Sequence, residues 1–476
     1  MKILQVSATD FGGGAAKVAW DLHHAFAEQG NNSWLAVGKK KTTNAHVVEI
    51  PNSKARNSWE AATFGFEQLL RNHVGKVPGA GRGANFFRAL GRPANTAAYL
   101  QGKELFDYPG TRDLLELVPS MPDILHAHNL HSKYFDLRVL PEFSQKIPTI
   151  LTLHDTWLLS GHCAYSVTCS RWEIGCGKCP DLSLYPAVRK DNTAQNWLLK
   201  QQLYARSKLY VVTPCKWLMN KVEASMLQPG IVEQKVIHNG VDLDRFSPSD
   251  KAAARQKIGL DGDEFIALFV ANSVRNNIWK DFATLKRAFE LLSARLPHAK
   301  IRLICFGDES PQEYAGHIPI TFVPHTDNLD QVVDFYRAAD VYVHATKADT
   351  FPTVILEALA CGLPVIATAV DGITEQIKSL CNLEKIENFM QPVVESSINE
   401  ATGALVKRGE AEGLTHWVEQ LINNSVLRAE LGINARRDAE KRFDFKRQVR
   451  EYLDWYQSSS DDFNRQSEEI KKGGAH

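Results

Sequence analysis

The sequence lacks a net charge, and it lacks any hydrophobic run long enough to cross a membrane. Its 55 Lys and Arg residues balance 55 Asp and Glu residues, so charge gives no reason to expect nucleic-acid binding. No apolar stretch approaches the roughly 18 residues of a spanning helix. The first residues, MKILQVSATD, favour a strand over a signal peptide. We therefore expect a cytoplasmic protein, at most peripheral at the inner face of a membrane.

The composition is that of a globular protein with more than one domain. Of the 476 residues, 44% are hydrophobic and 23% charged, which is ordinary for a soluble fold. The chain is too long for one hydrophobic core and predicts two or three domains. Four of the eight Cys residues are isolated in apolar surroundings, which indicates a reducing compartment; they are Cys215, Cys305, Cys361 and Cys381.

Residues 340–375 read as a strand, a polar loop, a helix and a second strand. In a parallel α/β sheet, the loop over 348–353 lies outside the carboxyl end of the first strand, where such folds bind ligands. We expect Thr353 to cap the helix, so that the N–H groups of Thr353, Val354 and Ile355 point at an anion such as phosphate. Glu357 would accept hydrogen bonds from a ribose, or it simply favours a helix N-terminus.

A glycine loop, Asp10-Phe-Gly-Gly-Gly, follows the first predicted strand and enters an amphipathic helix. A dinucleotide fingerprint would need glycine at position 17 and an acid after the second strand, where the chain has Lys17 and Lys39–Lys41. The pattern therefore argues against a nicotinamide cofactor. Glycine also allows the backbone to approach a sugar or a phosphate closely.

Histidines cluster near two predicted strands of the first half. His126, His128 and His131 follow one strand, and His154-Asp155 ends the next. No carboxylate or Cys companion is evident in the sequence that would complete a metal site, so we interpret the first three as lining a cleft. Taken alone, a histidine such as His154 is more often structural.

Four cysteines, Cys163, Cys169, Cys176 and Cys179, lie within 17 residues and end in a C-x2-C pair. In a reducing compartment this density favours a structural zinc. The five-residue spacing of the first pair is not that of a standard zinc knuckle, so free thiols or a disulfide stay open as alternatives.

Residues 53–92 are basic and carry an apolar stripe. The segment has seven basic and two acidic residues. Its apolar residues recur at helical spacing: Trp59, Ala62, Phe66, Leu69 and Leu70. This segment contacts an anionic membrane or a lipid-linked acceptor, or else it packs its apolar face onto the N-terminal domain.

The segment from Asp349 to Glu357, two acids separated by seven residues, resembles the paired-acid signature of GT-B glycosyltransferases, and the continuation EALACGLPVIA resembles glycosyltransferase family 4. The first acid of that signature is usually Glu, one methylene longer than Asp349. Arg275 and Lys280 match the basic pair of the family, although Asn272 and Asp281 stand where its members usually have glycine.

The resemblance implies roles for single residues. His154 falls on the active-site histidine that contacts the donor sugar, and Asp349, Lys280 and Arg275 join it as catalytic residues. The residues implied to bind the nucleotide-sugar are Gly13, Gly14, Arg275, Lys280, Gly307, Phe351, Pro352, Thr353, Val354 and Glu357.

The resemblance also implies an α/β fold of the GT-B class, with two Rossmann-like domains facing across a cleft. We predict an N-terminal acceptor-side domain over 1–248, with the basic insertion at about 53–110 and the Cys-rich loop at 160–180. A nucleotide-sugar-binding domain follows over 249–440, then a helix over 441–457 that returns to the N-terminal domain. Residues 458–476 are polar and predicted to be disordered, and an insertion at 379–400 has no assigned role.

The implied activity is retaining transfer of a hexosyl-type sugar from a UDP-, GDP- or dTDP-sugar to a hydroxyl of a glycan or lipid-linked acceptor. The setting would be bacterial polysaccharide or glycolipid assembly. No Asp-x-Asp motif lies in a suitable loop, so the cations would replace a catalytic metal. A sugar-nucleotide epimerase and a partner subunit that binds the donor without catalysis stay open as alternatives.

Overall fold

The computed structural model describes residues 1–53, 57–260, 262–381 and 396–473, and the chain forms two compact units. The first unit comprises 1–213, 218–236 and 452–476, and the second comprises 214–217 and 237–451. The main change of unit thus falls at Ile237 instead of near Pro248. Lys54, Arg56 and residues 382–395 of the predicted insertion lie outside the described residues.

The first unit is built on a parallel sheet of order β3-β2-β1-β4-β5-β6-β7. Every residue of its three strands β4 to β6 is buried, as expected where helices cover both faces of a parallel sheet. The strands are β1 (Lys2–Thr9), β2 (Asn32–Lys39), β3 (Val47–Glu49), β4 (Ile124–His128), β5 (Thr149–Thr152), β6 (Leu209–Thr213) and β7 (Ile231–Val236). The helices are α1 (Gly14–Glu28), α2 (Ser58–Arg71), α3 (Ala80–Gly91), α4 (Pro93–Leu100), α5 (Leu140–Lys146), α6 (Thr193–Tyr204) and α7 (Lys216–Glu223).

The second unit has a sheet of order β10-β11-β9-β8-β12-β13-β14, parallel except for the β10–β11 pair. Its strands are β8 (Phe265–Val270), β9 (Ile301–Phe306), β10 (Glu313–Ala315), β11 (Ile318–Val323), β12 (Val341–His344), β13 (Val365–Thr368) and β14 (Gly403–Val406). Its helices are α8 (Lys251–Lys257), α9 (Phe282–Arg295), α10 (Leu329–Ala338), α11 (Thr353–Ala360), α12 (Ile373–Gln376), α13 (Ala411–Asn423), α14 (Ser425–Arg442) and the start of α15 (Phe445–Gly473). Short 3₁₀ helices span Pro109–Glu116, Leu137–Val139, Trp157–Leu159, Arg171–Glu173 and Gln228–Gly230.

Helix α15 is continuous to Gly473, and from Tyr452 onward it is part of the first unit. There Tyr456 hydrogen-bonds His126 Nδ1 at 2.5 Å, and Tyr452 hydrogen-bonds Thr152 Oγ1 at 3.0 Å. The prediction of disorder from residue 458 is therefore wrong as far as Gly473. Once the buried half of a helix is nucleated, each further residue adds at little cost, even in a polar stretch.

Each sheet has one point where the strand order reverses, between β1 and β4 in the first unit and between β8 and β12 in the second. Open α/β sheets bind ligands outside the carboxyl ends of the strands at such points. The loops after these four strands therefore hold the candidate site residues. No helix in the described part of the chain is both long enough and apolar enough to cross a membrane.

Candidate functional site

Lys280 and Asp349 meet at the reversal point of the second unit. Lys280 lies in the loop after β8 and Asp349 in the loop after β12, and Lys280 Nζ is 2.6 Å from Asp349 Oδ2. Their side chains are 10% and 21% exposed. Two residues that the sequence singled out, separated by 69 positions, thus form one ion pair.

This ion pair is extended by His344, which sequence analysis did not single out. Lys280 Nζ is 3.3 Å from His344 Nε2, and His344 Nδ1 is 3.0 Å from the Tyr342 hydroxyl. An ammonium group only donates, so Nε2 accepts and Nδ1 carries the proton that is donated to Tyr342. Side chains alternate between the two faces of a strand, so positions 342 and 344 share one face of β12, and this spacing could have predicted the contact.

The charges of this network are well defined. Burial works against ionisation of Asp349, but Lys280 together with His344 outweighs it, and the pKa of Asp349 falls to about 2. Burial, and then the charge of Lys280, lower the pKa of His344 to about 4. At neutral pH the network is therefore an ammonium and a carboxylate beside a neutral imidazole.

Helix α11 begins directly after this loop. Thr353 is its first residue and Pro352 is the N-cap, without a side-chain hydrogen bond, so the prediction of Thr353 as the cap is wrong. Pro352 takes the extended backbone of a cap but has no side-chain acceptor. The N–H groups of Thr353 and Val354 have no partner within the helix, as at any helix start. Phe351 is buried and stacks on His238 at 5.3 Å between ring centroids, so it serves packing.

Glu357, the second acid of the signature, lies one turn into α11 and is only 7% exposed. The hydroxyl of Tyr336, itself fully buried, donates to Glu357 Oε2 at 2.8 Å. This contact orients the carboxylate, and sequence analysis missed it because Tyr336 lies on α10. Binding of a ribose by Glu357 stays a prediction.

Arg275 does not take part in the ion pair between Lys280 and Asp349. Its guanidinium pairs with Glu313 and lies over the Phe322 ring, 4.9 Å from the centroid. Gly307, predicted to bind the nucleotide, has a φ of +100°, and a Cβ there would be 2.2 Å from the carbonyl oxygen of Ala271. The fold itself thus requires glycine at position 307.

In the first unit, the glycine loop after β1 has left-handed backbone at Gly12 and Gly13, with φ of +88° and +90°. Gly13 precedes α1, and Gly14 is its first residue. The Asp10 carboxylate accepts hydrogen bonds from the N–H groups of Lys41 and Thr42, both at 2.8 Å. Burial alone would raise the pKa of Asp10, but these bonds and the one from the Thr42 hydroxyl lower it. Asp10, which the sequence did not single out, thus fixes the loop to the end of β2.

The histidines of the first unit form hydrogen-bonded pairs. His154 Nε2 is 3.0 Å from His128 Nδ1, and His128 Nε2 is 3.1 Å from Gln5 Oε1. Burial lowers the pKa of His154 to about 4, so this ring is neutral. His131 Nε2 is 2.8 Å from Asp155 Oδ2; burial disfavours its charge, but Asp155 raises the pKa of His131.

The four cysteines of the loop over 160–180 are free thiols. Burial raises the pKa of Cys163 to about 12 and that of Cys176 to about 11. Across the described ranges, no three His, Cys, Asp or Glu side chains are arranged to hold a metal ion. The structure therefore does not support the zinc prediction and agrees with the free-thiol alternative.

Helix α2 of the basic segment has its apolar stripe on the outside. Trp59, Phe66 and Leu69 are 58%, 54% and 57% exposed, whereas the polar residues Thr63 and Glu67 are buried. The interpretation that this stripe packs on the N-terminal domain is therefore wrong. The helix packs against α3 at Thr63, whose Oγ1 is 2.1 Å from the position of a Cβ on Gly91, and at Phe66, which stacks on Phe87 at 5.2 Å between ring centroids.

The sequence is similar to known glycosyltransferases. The sequence matches Glycosyltransferase Family 4 over residues 12–245 and Glycosyl transferases group 1 over residues 264–424. It is 28% identical over 402 residues to WcaC of Escherichia coli K12, named for colanic acid biosynthesis, covering 79% of this chain and 85% of that one. It is 30% identical over 242 residues to the D-inositol 3-phosphate glycosyltransferase of Rhodococcus jostii RHA1, covering 48% of each chain.

Among solved structures, Anabaena Alr3699/HepE in complex with UDP and glucose is similar with a TM-score of 0.58. The sequence identity is 17%, and the match covers 96% of this chain and 100% of that chain. WaaG, a glycosyltransferase involved in lipopolysaccharide biosynthesis, has a TM-score of 0.58 at 15% identity, covering 95% of this chain and 99% of that one. At such identities these similarities show the fold alone.

Proposed function

Because this chain belongs to glycosyltransferase family 4 and has the GT-B fold, we propose that it transfers a sugar from a nucleotide-sugar to a hydroxyl of a glycan or lipid-linked acceptor. The transfer retains the configuration at the anomeric carbon and uses no catalytic metal. The observation that carries the proposal is the Lys280–Asp349 pair beside the start of α11. The name of WcaC, which refers to colanic acid biosynthesis, supports a polysaccharide acceptor.

The donor diphosphate would lie at the reversal point of the second unit. Lys280, Arg275 and the first N–H groups of α11 are positive groups in the loops that follow β8 and β12. They stabilise the negative charge that builds on the leaving phosphate oxygen as the glycosidic bond breaks. Asp349 then accepts hydrogen bonds from sugar hydroxyls, and Glu357, oriented by Tyr336, accepts those of the ribose.

The chemical step is a front-face substitution. The bond between the anomeric carbon and the leaving phosphate oxygen breaks, and a bond to the acceptor oxygen forms on the same face. The acceptor proton passes to that phosphate oxygen, so no base on the protein is needed and nothing is oxidised or reduced. Gly13 and Gly14 leave space for close approach of a sugar or phosphate.

His154 contributes a hydrogen-bond acceptor in this proposal. With Gln5 Oε1 accepting from His128 Nε2, His128 Nδ1 accepts from His154 Nε2. A neutral His154 then offers its Nδ1 lone pair to a hydroxyl of the donor sugar.

The test measures the thermal stability of the purified protein with UDP-, GDP-, dTDP- and ADP-sugars, followed by release of nucleotide from the best binder. We expect one nucleotide to raise the melting temperature by several degrees, and Lys280→Ala to abolish the shift. Lys257→Ala is the matched control, because Lys257 pairs with Asp334 on another surface. No shift with any donor would instead favour a partner subunit that has lost the site.

Two further measurements test the finer points of the proposal. The anomeric configuration of the product, read by NMR coupling constants, is retained if the front-face step is right. Turnover unchanged by a chelator supports the metal-independent route, whereas loss of turnover that a divalent cation restores would overturn it.

We further propose that helices α2 and α3 contact an anionic membrane surface. Trp59, Phe66 and Phe86 are 54–62% exposed on this hairpin, and residues 57–92 hold five basic residues against two acidic ones. Lys76 and Arg82 of the same segment are also exposed. Apolar rings that enter the lipid and cations that pair with anionic headgroups are the two components of interfacial binding.

Cosedimentation with vesicles tests this contact. The protein is expected to bind vesicles that contain anionic lipid and to bind neutral vesicles weakly. Phe66→Ser with Phe86→Ser, or Lys76→Ala with Arg82→Ala, should release it, while Ile433→Ser, an equally exposed residue of the second unit, should not. Unchanged binding of both double variants would exclude this surface.

A further inference from the structure

The first unit contains a cavity of about 690 Å³ that the proposed donor site does not use. It lies between the segment α2 to α4 and the loops after β3 and β4. Glu60, Thr63, Glu67 and Arg71, the polar side of α2, line it. Because the polar side of α2 faces the cavity, this part of the cavity wall is polar. Its volume is within the usual range for ligand pockets.

The cavity wall has the chemistry that recognises sugars. Carboxylates and amides hydrogen-bond sugar hydroxyls, and aromatic rings pack on the apolar C–H face of a sugar ring. Both kinds of group are present, as Glu60, Asn85, Asn95, Phe87, Tyr99 and Trp157 show. Two of the lining acids already have protein partners: Glu67 pairs with Arg71 at 2.7 Å, and Glu49 accepts the N–H of Lys40 at 3.1 Å.

Two cations of the cavity lining lie beside one aromatic ring. Lys133 Nζ is 5.1 Å and Arg189 Cζ is 5.5 Å from the centroid of the Tyr99 ring. Neither cation forms an ion pair with any residue that the structure describes. Two cations beside one aromatic ring, without a carboxylate, form a place for an anion next to a sugar-binding surface.

The loop that presents Lys133 is strained. Asn129, Ser132 and Lys133 have positive φ values of 26°, 79° and 64°, although none of them is glycine. Such conformations cost free energy, and they persist where the surrounding structure imposes them, often at binding sites. The loop follows β4, at the reversal point of the first sheet. His131, held by Asp155 at 2.8 Å, lines the same cavity.

We infer that this cavity is the acceptor site and that it takes a saccharide carrying an anionic group, either a phosphate or a carboxylate. Lys133 and Arg189 bind the anion, Tyr99 packs against the sugar ring, and the polar side of α2 contacts its hydroxyls. This inference rests on the proposed transferase function, because only a transferase has an acceptor site. The anion belongs either to a free acidic saccharide or to the diphosphate of a lipid-linked one.

Calorimetric titration tests this assignment, with the best-binding nucleoside diphosphate at saturation so that the donor site is filled. The probes are glucose 6-phosphate, glucuronate, farnesyl diphosphate and neutral glucose. We expect at least one anionic probe to bind, and Lys133→Ala with Arg189→Ala to weaken it about tenfold or more. Tight binding of farnesyl diphosphate would indicate the lipid-linked source, and binding of the acidic sugars alone would indicate the free one.

Control variants separate this inference from the proposed function. Lys146→Ala removes an exposed cation of the first unit that lies outside the cavity and should leave the titrations unchanged. Nucleotide binding should be normal in the Lys133 and Arg189 variants, whereas its absence in the unaltered protein would overturn the donor proposal. No binding of any anionic probe, or binding that the double variant does not weaken, would overturn the acceptor site.

Discussion

Lys280 serves stability as well as the proposed chemistry, because its ammonium neutralises a carboxylate with little access to water. Lys280 Nζ contacts Asp349 Oδ2 at 2.6 Å and His344 Nε2 at 3.3 Å. Removing one member of a buried pair leaves the other charge without compensation. Any Lys280 variant therefore needs a stability measurement beside its activity.

We expect Lys280→Met to lower the free energy of unfolding by about 3 kcal/mol, near the lower value for breaking a buried pair. The loss follows from the charge left on Asp349. Urea denaturation at pH 7.5 measures it. Lys280→Met with Asp349→Leu should recover much of the stability while remaining inactive. If the double variant were no more stable than Lys280→Met, the charge on Asp349 would not be the cause.

At the scale of single elements, the α2–α3 hairpin depends on close contact between the two helices. Gly91 ends α3 against Thr63 of α2, where a Cβ would lie 2.1 Å from Thr63 Oγ1. Gly65 lies in the interior of α2, and no atom lies within 4 Å of the position that a methyl group on it would take. Substitutions at these two glycines therefore distinguish the effect of helix packing on stability from the effect of helix propensity.

Gly65→Ala should stabilise the first unit by up to about 1 kcal/mol, since alanine is the better helix former. Gly91→Ala should destabilise it, because the methyl group forces α2 and α3 apart. Thermal denaturation of both variants measures the difference. Equal effects of the two substitutions would contradict the close contact at Gly91.

For the whole molecule, buried neutral histidines make stability depend on pH. Burial lowers the pKa of His23 and His154 to about 4 and that of His126 to about 3, all in the first unit. His344, with a pKa lowered to about 4, is in the second unit. Because these folded pKa values lie below the unfolded value, the unfolded state takes up protons first, and stability falls as the pH drops from about 6.5 toward 4. His131, with a raised pKa, acts in the opposite direction.

The first unit should therefore lose more stability than the second on acidification from pH 7.5 to 5.5. Each of these histidines contributes on the order of 1 kcal/mol over this range. Hydrogen exchange followed by mass spectrometry, corrected for the intrinsic pH dependence of exchange, reports on each unit separately. His23→Gln, which removes one such group, should reduce the pH dependence in the first unit alone. Equal losses in both units would contradict this account.

Much of the fold and part of the candidate site could be predicted from the sequence. Buried parallel strands appear as short apolar runs, which is why β12, α11 and β13 were found within residues 340–375. The paired-acid motif pointed to Asp349 and Glu357, and the basic pair to Arg275 and Lys280. The family and the fold class followed from the same local patterns.

The tertiary structure decided which residues meet and which way a patterned face points. Lys280 meets Asp349, Arg275 meets Glu313 and Tyr336 meets Glu357, each from a different element. The spacing of apolar residues predicts that α2 has an apolar side. It does not predict that this side faces outward, because the elements packed around α2 set its orientation. For the same reason, the order of sequence positions could not reveal the cavity between α2 and the loop after β4. Local motifs can be recognised from the sequence alone, whereas contacts between residues far apart in the chain form only when it folds.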